Sequence, residues 1–179
     1  MIMQAPNYDW YAIYTKTNCE KKLSENLIRE GVECYLPLTK VLRQWSDRKK
    51  WIEEPFFRNY LFVKVSRKEF FDVLNIPEVV SYVSFGGIPQ KIPAEQIENI
   101  KMLINQQERE VIVSREKIEK GQNAEVLAGP FKGMNGEVVR IYGNYRIVIR
   151  IDALGCNIYA NISRDEINVL PAKRLLHQV

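Results

Sequence analysis

The spacing of apolar positions changes partway along the chain. Through the first 108 residues, short β-rich runs alternate with segments whose apolar residues recur every three or four positions; beyond them strand-like runs dominate. The first pattern predicts strands interleaved with helices, and the second predicts strands alone. Residues 10–15 have strand composition, and Thr17 with Glu20 three positions on forms the capping-box pattern that starts a helix. Leu23, Leu27 and Ile28 give that helix an apolar face, Lys21, Lys22, Glu25 and Arg29 a wet one, and Gly31 is its stop. Residues 32–36 read as a second strand closed by Pro37, and residues 38–45 and 50–55 as a long hairpin around Ser46-Asp47-Arg48-Lys49. A strong strand follows at 60–65. Ser66 with Glu69 repeats the capping box, and Phe70, Phe71, Val73 and Leu74 fill a helix that ends near Pro77. Residues 79–85 read as one strand turned by Gly86-Gly87, and Pro93 opens a last helix with Ile97, Ile100 and Ile104 on one face.

In the second half, Gly129-Pro130 breaks a strand, Phe131 offers a large side chain to a small core, and Gly133 and Gly136 supply positive φ where the chain reverses. Tyr145, Ile147, Ile149 and Ile151 alternate with Arg146, Val148, Arg150 and Asp152, the pattern of a half-buried antiparallel strand. Gly143-Asn144 and Leu154-Gly155 punctuate hairpins. The expectation is α+β: an α/β sandwich over 8–108, a polar linker over 109–118, and a small five-stranded β-barrel over 119–171.

Composition narrows the class. With 46% hydrophobic and 27% charged residues the chain is neither disordered nor fibrous. No apolar run approaches the roughly 20 residues that span a bilayer, and the N-terminus lacks the basic start and apolar core of a signal peptide, so a cytoplasmic protein without a membrane partner is expected. Cys19, Cys34 and Cys156 are widely spaced with no histidine cluster, which argues against a disulfide framework or a metal site. His177 is the single histidine, and there is no Gly-rich phosphate loop and no nucleophile in a catalytic setting. No catalytic residue and no cofactor are therefore expected. Charge is uneven: between Lys40 and Lys68 nine basic residues face three acidic ones, although the whole chain carries only +4. A solvated hairpin tip and a polyanion contact explain that run equally well.

Three segments carry a resemblance. W-Y-A-I-Y-T-K at 10–16, F-F-R-N-Y-L-F-V at 56–63 and V-S-Y-V-S-F-G-G at 80–87, followed by Ile92-Pro93, resemble in order the N-terminal (NGN) domain of the NusG family, and E-V-L-A-G-P-F-K-G-M-N-G-E-V-V-R-I at 125–141 resembles its SH3-like KOW barrel. The Asn59-Tyr60-Leu61-Phe62-Val63 segment is similar to that of specialised members, such as RfaH and the UpxY-type antiterminators of polysaccharide operons. Housekeeping NusG and a KOW-type RNA- or ribosome-binding module are the alternatives.

The resemblance implies a monomeric transcription elongation or antitermination factor that docks on the clamp helices of the largest RNA polymerase subunit. Tyr14, Phe57, Tyr60, Phe62, Phe85 and Ile97 are the implied polymerase contacts, supported by Trp10 and Tyr11. Trp10 and Phe62 also suit the domain core, whereas Tyr14, Phe57 and Phe85 suit contact. Lys16, Lys21 and Lys22 are implied contacts to the non-template DNA strand or nascent RNA, with solvated helix charges as the equal alternative. Arg43, Arg48, Lys49 and Lys50 would reach upstream duplex DNA, and Trp45 and Trp51 would stack or brace. In the barrel, Leu154 and Ile158 fall nearest the edge by which family members bind ribosomal protein S10 or Rho. Arg58 stands where the family usually has proline, and β-branched residues and glycines over 138–162 argue against an alternative helical state.

Overall fold

The computed structural model describes residues 7–106, 109–115, 118, 120–141 and 143–170. The chain groups into two compact units divided between Ile97 and Glu98. In chain order the elements up to that division are β1 (Tyr8–Thr15), α1 (Glu20–Arg29), β2 (Glu33–Tyr35), β3 (Leu38–Gln44), β4 (Lys49–Pro55), β5 (Tyr60–Ser66), α2 (Glu69–Leu74), β6 (Val79–Tyr82), β7 (Ser84–Phe85), β8 (Ile88–Pro89) and β9 (Lys91–Ile92); α3 (Ala94–Asn105) runs across it. There follow β10 (Val111–Ser114), β11 (Gln122–Val126), β12 (Asn135–Ile141), β13 (Asn144–Ile151), β14 (Cys156–Ile162) and β15 (Ile167–Val169). No helix among the described residues is long and apolar enough to cross a membrane.

The first unit is built on an antiparallel sheet ordered β2-β5-β1-β6, with β9 also paired to β1. Alternation along β1 and β5 divides its side chains cleanly. Ile13, Leu61, Val63 and Val65 pack on one face with Leu23 and Leu27 of α1 and Val73 of α2, all essentially inaccessible. Full burial of each such side chain stabilises by about 1.5–3 kcal/mol. Trp10, Ala12 and Tyr14 face the other way, opposite Lys64, Phe62 and Tyr60 of β5. The hairpin β3–β4 forms a separate two-stranded ribbon from Leu38↔Pro55 to Gln44↔Lys49.

Local signals predict some helix ends and fail at others. Gly31 adopts φ +79° after α1, as expected of a helix stop. Ser66 and Glu69 bond reciprocally: the Ser66 N–H donates to Glu69 Oε2 at 2.8 Å and the Glu69 N–H to Ser66 Oγ at 3.5 Å. The Thr17–Glu20 box does not form, because Cys19 caps α1 without a side-chain bond and the Glu20 carboxylate is engaged elsewhere. The expected single strand over 79–85 is broken at Val83, whose N–H turns back to the Ala12 carbonyl at 2.9 Å and starts the short hairpin β7–β8. In α3 the buried face is Ile97, Ile100 and Leu103, with Ile104 only half-buried.

The second unit holds a six-stranded antiparallel sheet, ordered β10-β14-β13-β12-β11-β15. The added strand, β10, lies in the stretch expected to be linker, where Val111, Ile112 and Val113 pair along the edge of β14. Gln107 and Glu108, in the polar Gln106–Glu110 stretch, lie outside the described residues. Inside the sheet are Phe131, Met134, Ile147, Ile151 and Ile158. Gly133 takes φ +86° as expected, but Gly136 does not take a positive φ. Gly136 is required for closeness: a Cβ there would lie 2.6 Å from Ile147 Cδ1. Cys156 is buried and its thiol is pushed up to about 11 by desolvation, which leaves it unreactive.

Candidate functional site

Four of the implied polymerase contacts, Tyr14, Tyr60, Phe62 and Phe57, come together on the face of the first sheet opposite α1 and α2. Across β1 and β5, Tyr14 stands directly opposite Tyr60, with ring centroids 5.4 Å apart in an edge contact. One row further in, Phe62 is fully buried and touches Tyr35 at 6.2 Å and Phe57 at 5.9 Å; Phe57 in turn meets Phe56 at 5.1 Å. The aromatic sheet face therefore runs from a closed interior to an open end. Tyr14 is 40% exposed and Tyr60 half-buried at the open end, while Phe85 projects almost freely from the β7–β8 hairpin at 81% exposure.

That gradient corrects three of the six residues. Phe57, Phe62 and Ile97 are buried, at 5%, 0% and 0% exposure, so they support the surface rather than form it. Phe57 was expected outside; the turn after β4 folds it inward onto Phe62, where the lost water contact and the edge-on ring geometry both favour it. Tyr11, named as a support, packs on the opposite face against Phe70 and Tyr82.

The open end is held by a contact that no local pattern announces. Asn59 has φ +66°, a left-handed conformation that asparagine tolerates better than most residues. Its N–H donates to Glu20 Oε1 at 2.8 Å, its Nδ2 reaches the Thr15 carbonyl and Thr17 Oγ1 at 3.3 Å each, and its carbonyl accepts the Thr15 N–H at 2.8 Å. Glu20 is buried at 5% exposure. Together with a bulge between Tyr14 and Thr15 against β6, this fixes where Tyr14 and Tyr60 point. Arg58 is exposed and lies 4.0 Å from Glu54.

The basic candidates divide into two groups. At the start of α1, Lys22 forms a 2.5 Å ion pair with Glu78. The hydrogen bond to Glu78, and then its charge, raise the Lys22 pKa, and the same bond lowers that of Glu78. Lys16 is exposed beside this pair, its backbone N–H donating to the Glu78 carbonyl. Lys21 points to the hairpin, donating to the Glu53 carbonyl at 2.7 Å. On the ribbon, Arg43 grips Glu54 through two bonds of 2.9 and 3.0 Å, which removes it as a free cation. Arg48 lies 3.8 Å from Asp47, and Lys49 and Lys50 are exposed with no ion pair among the described residues. In the barrel, Leu154 and Ile158 are buried at 9% and 0%, which corrects their assignment to a partner surface: Ile158 pairs with Ile149 inside the sheet.

The sequence profile of the family described as transcription termination factor nusG matches residues 8–101, more than half of the chain. The chain belongs to the NusG family. The KOW motif profile matches residues 120–150. The two units are thus a NusG N-terminal α/β domain and a KOW β-domain, and the chain is a transcription termination/antitermination factor of that family. It is 25% identical over 165 residues to the transcription termination/antitermination protein NusG of Streptococcus pyogenes, covering 86% of this chain and 91% of that one. The protein of the same description from Staphylococcus carnosus is 24% identical over 177 residues, covering 90% and 95%. The solved structure described as "Domain interaction in Thermotoga maritima NusG" covers 92% of this chain and 98% of its own at 21% identity, with a TM-score of 0.47.

Proposed function

We propose that this NusG-family factor docks on the clamp helices of the largest RNA polymerase subunit through the open end of its aromatic sheet face, and suppresses pausing or termination over polysaccharide-type operons. The observation that carries the reading is the Tyr14–Tyr60 pair, exposed at Tyr14 and half-buried at Tyr60, in edge contact and next along the sheet to the buried Phe62, which Phe57 covers. Two phenols on a rigid sheet offer apolar area with polar rims and lose little side-chain entropy on binding, which is the composition of an interface hot spot. Phe85 adds a third ring. The exposed cations of the ribbon, Arg48, Lys49 and Lys50, with Lys16 at the end of β1, face nucleic acid in the same complex, either upstream DNA with its non-template strand or nascent RNA.

The test is the affinity of the full chain for the isolated clamp coiled coil of the cognate polymerase. Tyr14→Ala and Tyr60→Ala each weaken it by about 1–3 kcal/mol with the fold retained, and Phe85→Ala does the same. Wild-type protein that fails to bind the coiled coil removes the docking reading. Unaltered terminator readthrough on the chain's own operon leader removes the antitermination reading.

A further inference from the structure

The β3–β4 ribbon carries two tryptophans that packing does not explain. It pairs with no other sheet, and its base is tied down by the Phe56 N–H on the Pro37 carbonyl at 2.8 Å and by Lys21 on the Glu53 carbonyl. Beyond that base every residue from Leu42 to Trp51 is exposed. Trp51 is 64% and Trp45 56% accessible, and neither ring contacts another aromatic among the described residues. An isolated hairpin is marginally stable, and an indole that braced it would be covered.

We propose that this ribbon is a stacking platform for an unpaired nucleic-acid strand, with Trp51 and Trp45 taking bases and Lys49, Lys50 and Arg48 taking phosphates. The inference deepens the nucleic-acid part of the proposed function and rests on it. Register places Trp51 directly opposite Leu42 on one face of the ribbon, a broad apolar surface. Lys49 lies on that face two residues away, about 7 Å along the strand, so a nucleotide stacked on the indole has an ammonium near its phosphate. On the other face Lys50 pairs opposite Arg43, and Trp45 closes the turn with its backbone N–H on the Arg48 carbonyl at 2.8 Å. From Arg43 to Lys50 the single acid is Asp47, so the local field favours a polyanion. A duplex hides its base faces inside the stack and offers the indoles nothing. An unpaired strand offers both base faces and phosphates.

The experiment titrates the full chain, at low salt, with a fluorescein-labelled single-stranded oligonucleotide and with a duplex of the same sequence. Trp10 is buried in the sheet, so quenching of tryptophan emission reports Trp45 and Trp51. Trp51→Ala and Trp45→Ala are expected to weaken single-strand binding by about tenfold each and duplex binding very little, with Trp51→Phe restoring most of the loss. The double variant Lys49→Gln/Lys50→Gln is expected to weaken both ligands and flatten the salt dependence. If the tryptophan variants bind single strands like wild type while the lysine variant does not, stacking is overturned and the nucleic-acid reading stands. If wild type binds neither ligand, both fall, and a loss of retention on cognate polymerase in Trp51→Ala would then identify the ribbon as a protein-docking surface.

Discussion

The two units stabilise antiparallel sheets by different means. The first contains all three tryptophans and every phenylalanine but Phe131, and its ion pairs lie toward solvent: Lys22 is 69% exposed in its bond to Glu78, and Lys91 with Asp9 and Lys64 with Glu33 are similarly wet. The second is short of aromatics and, beside the exposed Lys101–Glu98 pair of α3, turns two ion pairs inward. Arg109 reaches Glu166 at 2.5 Å and the Asn161 carbonyl at 3.0 Å, while its guanidinium lies over the Phe131 ring. Arg150 grips Glu137 through two bonds of 2.7 Å and the Ile118 carbonyl through a third, and the Gly121 N–H also donates to Glu137. These clips hold the chain where it enters the second sheet. Ring packing in the first unit leaves aromatic surface over for binding; the second unit uses charge for cohesion and shows little surface of that kind. A consequence is that the units differ in what unfolds them.

Deleting a ring from the first unit sharpens the contrast most. Phe62→Ala removes a fully buried side chain that touches Tyr35 and Phe57, and is expected to cost about 3–5 kcal/mol, read as a lowered denaturant midpoint for that unit. If Tyr14→Ala cost as much, the division between supporting and displayed rings would be wrong.

Leu154→Ala comes next, at about 2 kcal/mol. Because Leu154 is buried, the loss should appear in thermal unfolding of the second unit, with affinity for ribosomal protein S10 the same as wild type once folding is matched. A selective loss of S10 binding with stability intact would reverse the assignment.

The smallest effect is Glu166→Gln, at about 1–2 kcal/mol. It sharpens the comparison through its pH dependence. Hydrogen bonds from Arg109 and Arg150 hold the Glu166 and Glu137 carboxyls below their ordinary value of 4.5. Their contribution is complete above that value and is lost as pH falls through the lower folded pKa values. Acid titration should therefore weaken the second unit below about pH 4.5, and Glu166→Gln should reduce that sensitivity. Equal acid response in wild type and variant would show that the clip contributes nothing.

Much of the fold was legible in the chain because the deciding contacts are short in sequence. The Gly31 stop, the Ser66–Glu69 box, the basic hairpin and the alternation through Tyr145–Ile151 each depend on residues a few positions apart, and backbone sterics or period alone specify them. Tyr14, Tyr60 and Phe85 were legible as surface candidates through the resemblance, and the structure exposes each of them in part or in full. Their supports were not, since Glu20 looks like a capping residue until it meets Asn59, 39 positions away. Phe57 has the composition of a contact and the burial of a core residue, a choice made only when β5 brings Phe62 beneath it. Likewise Gly136 resembles a turn glycine yet is needed because Ile147 crosses over it, and Val111–Ser114 becomes a strand because β14 offers an edge. Sequence by itself determined the elements and the chemistry available on them, since these follow from local torsions and polarity. Only the tertiary structure decided which rings are inside, which cations are already paired and which side chains are left over for a partner, because burial and pairing depend on residues that the chain brings together from far apart.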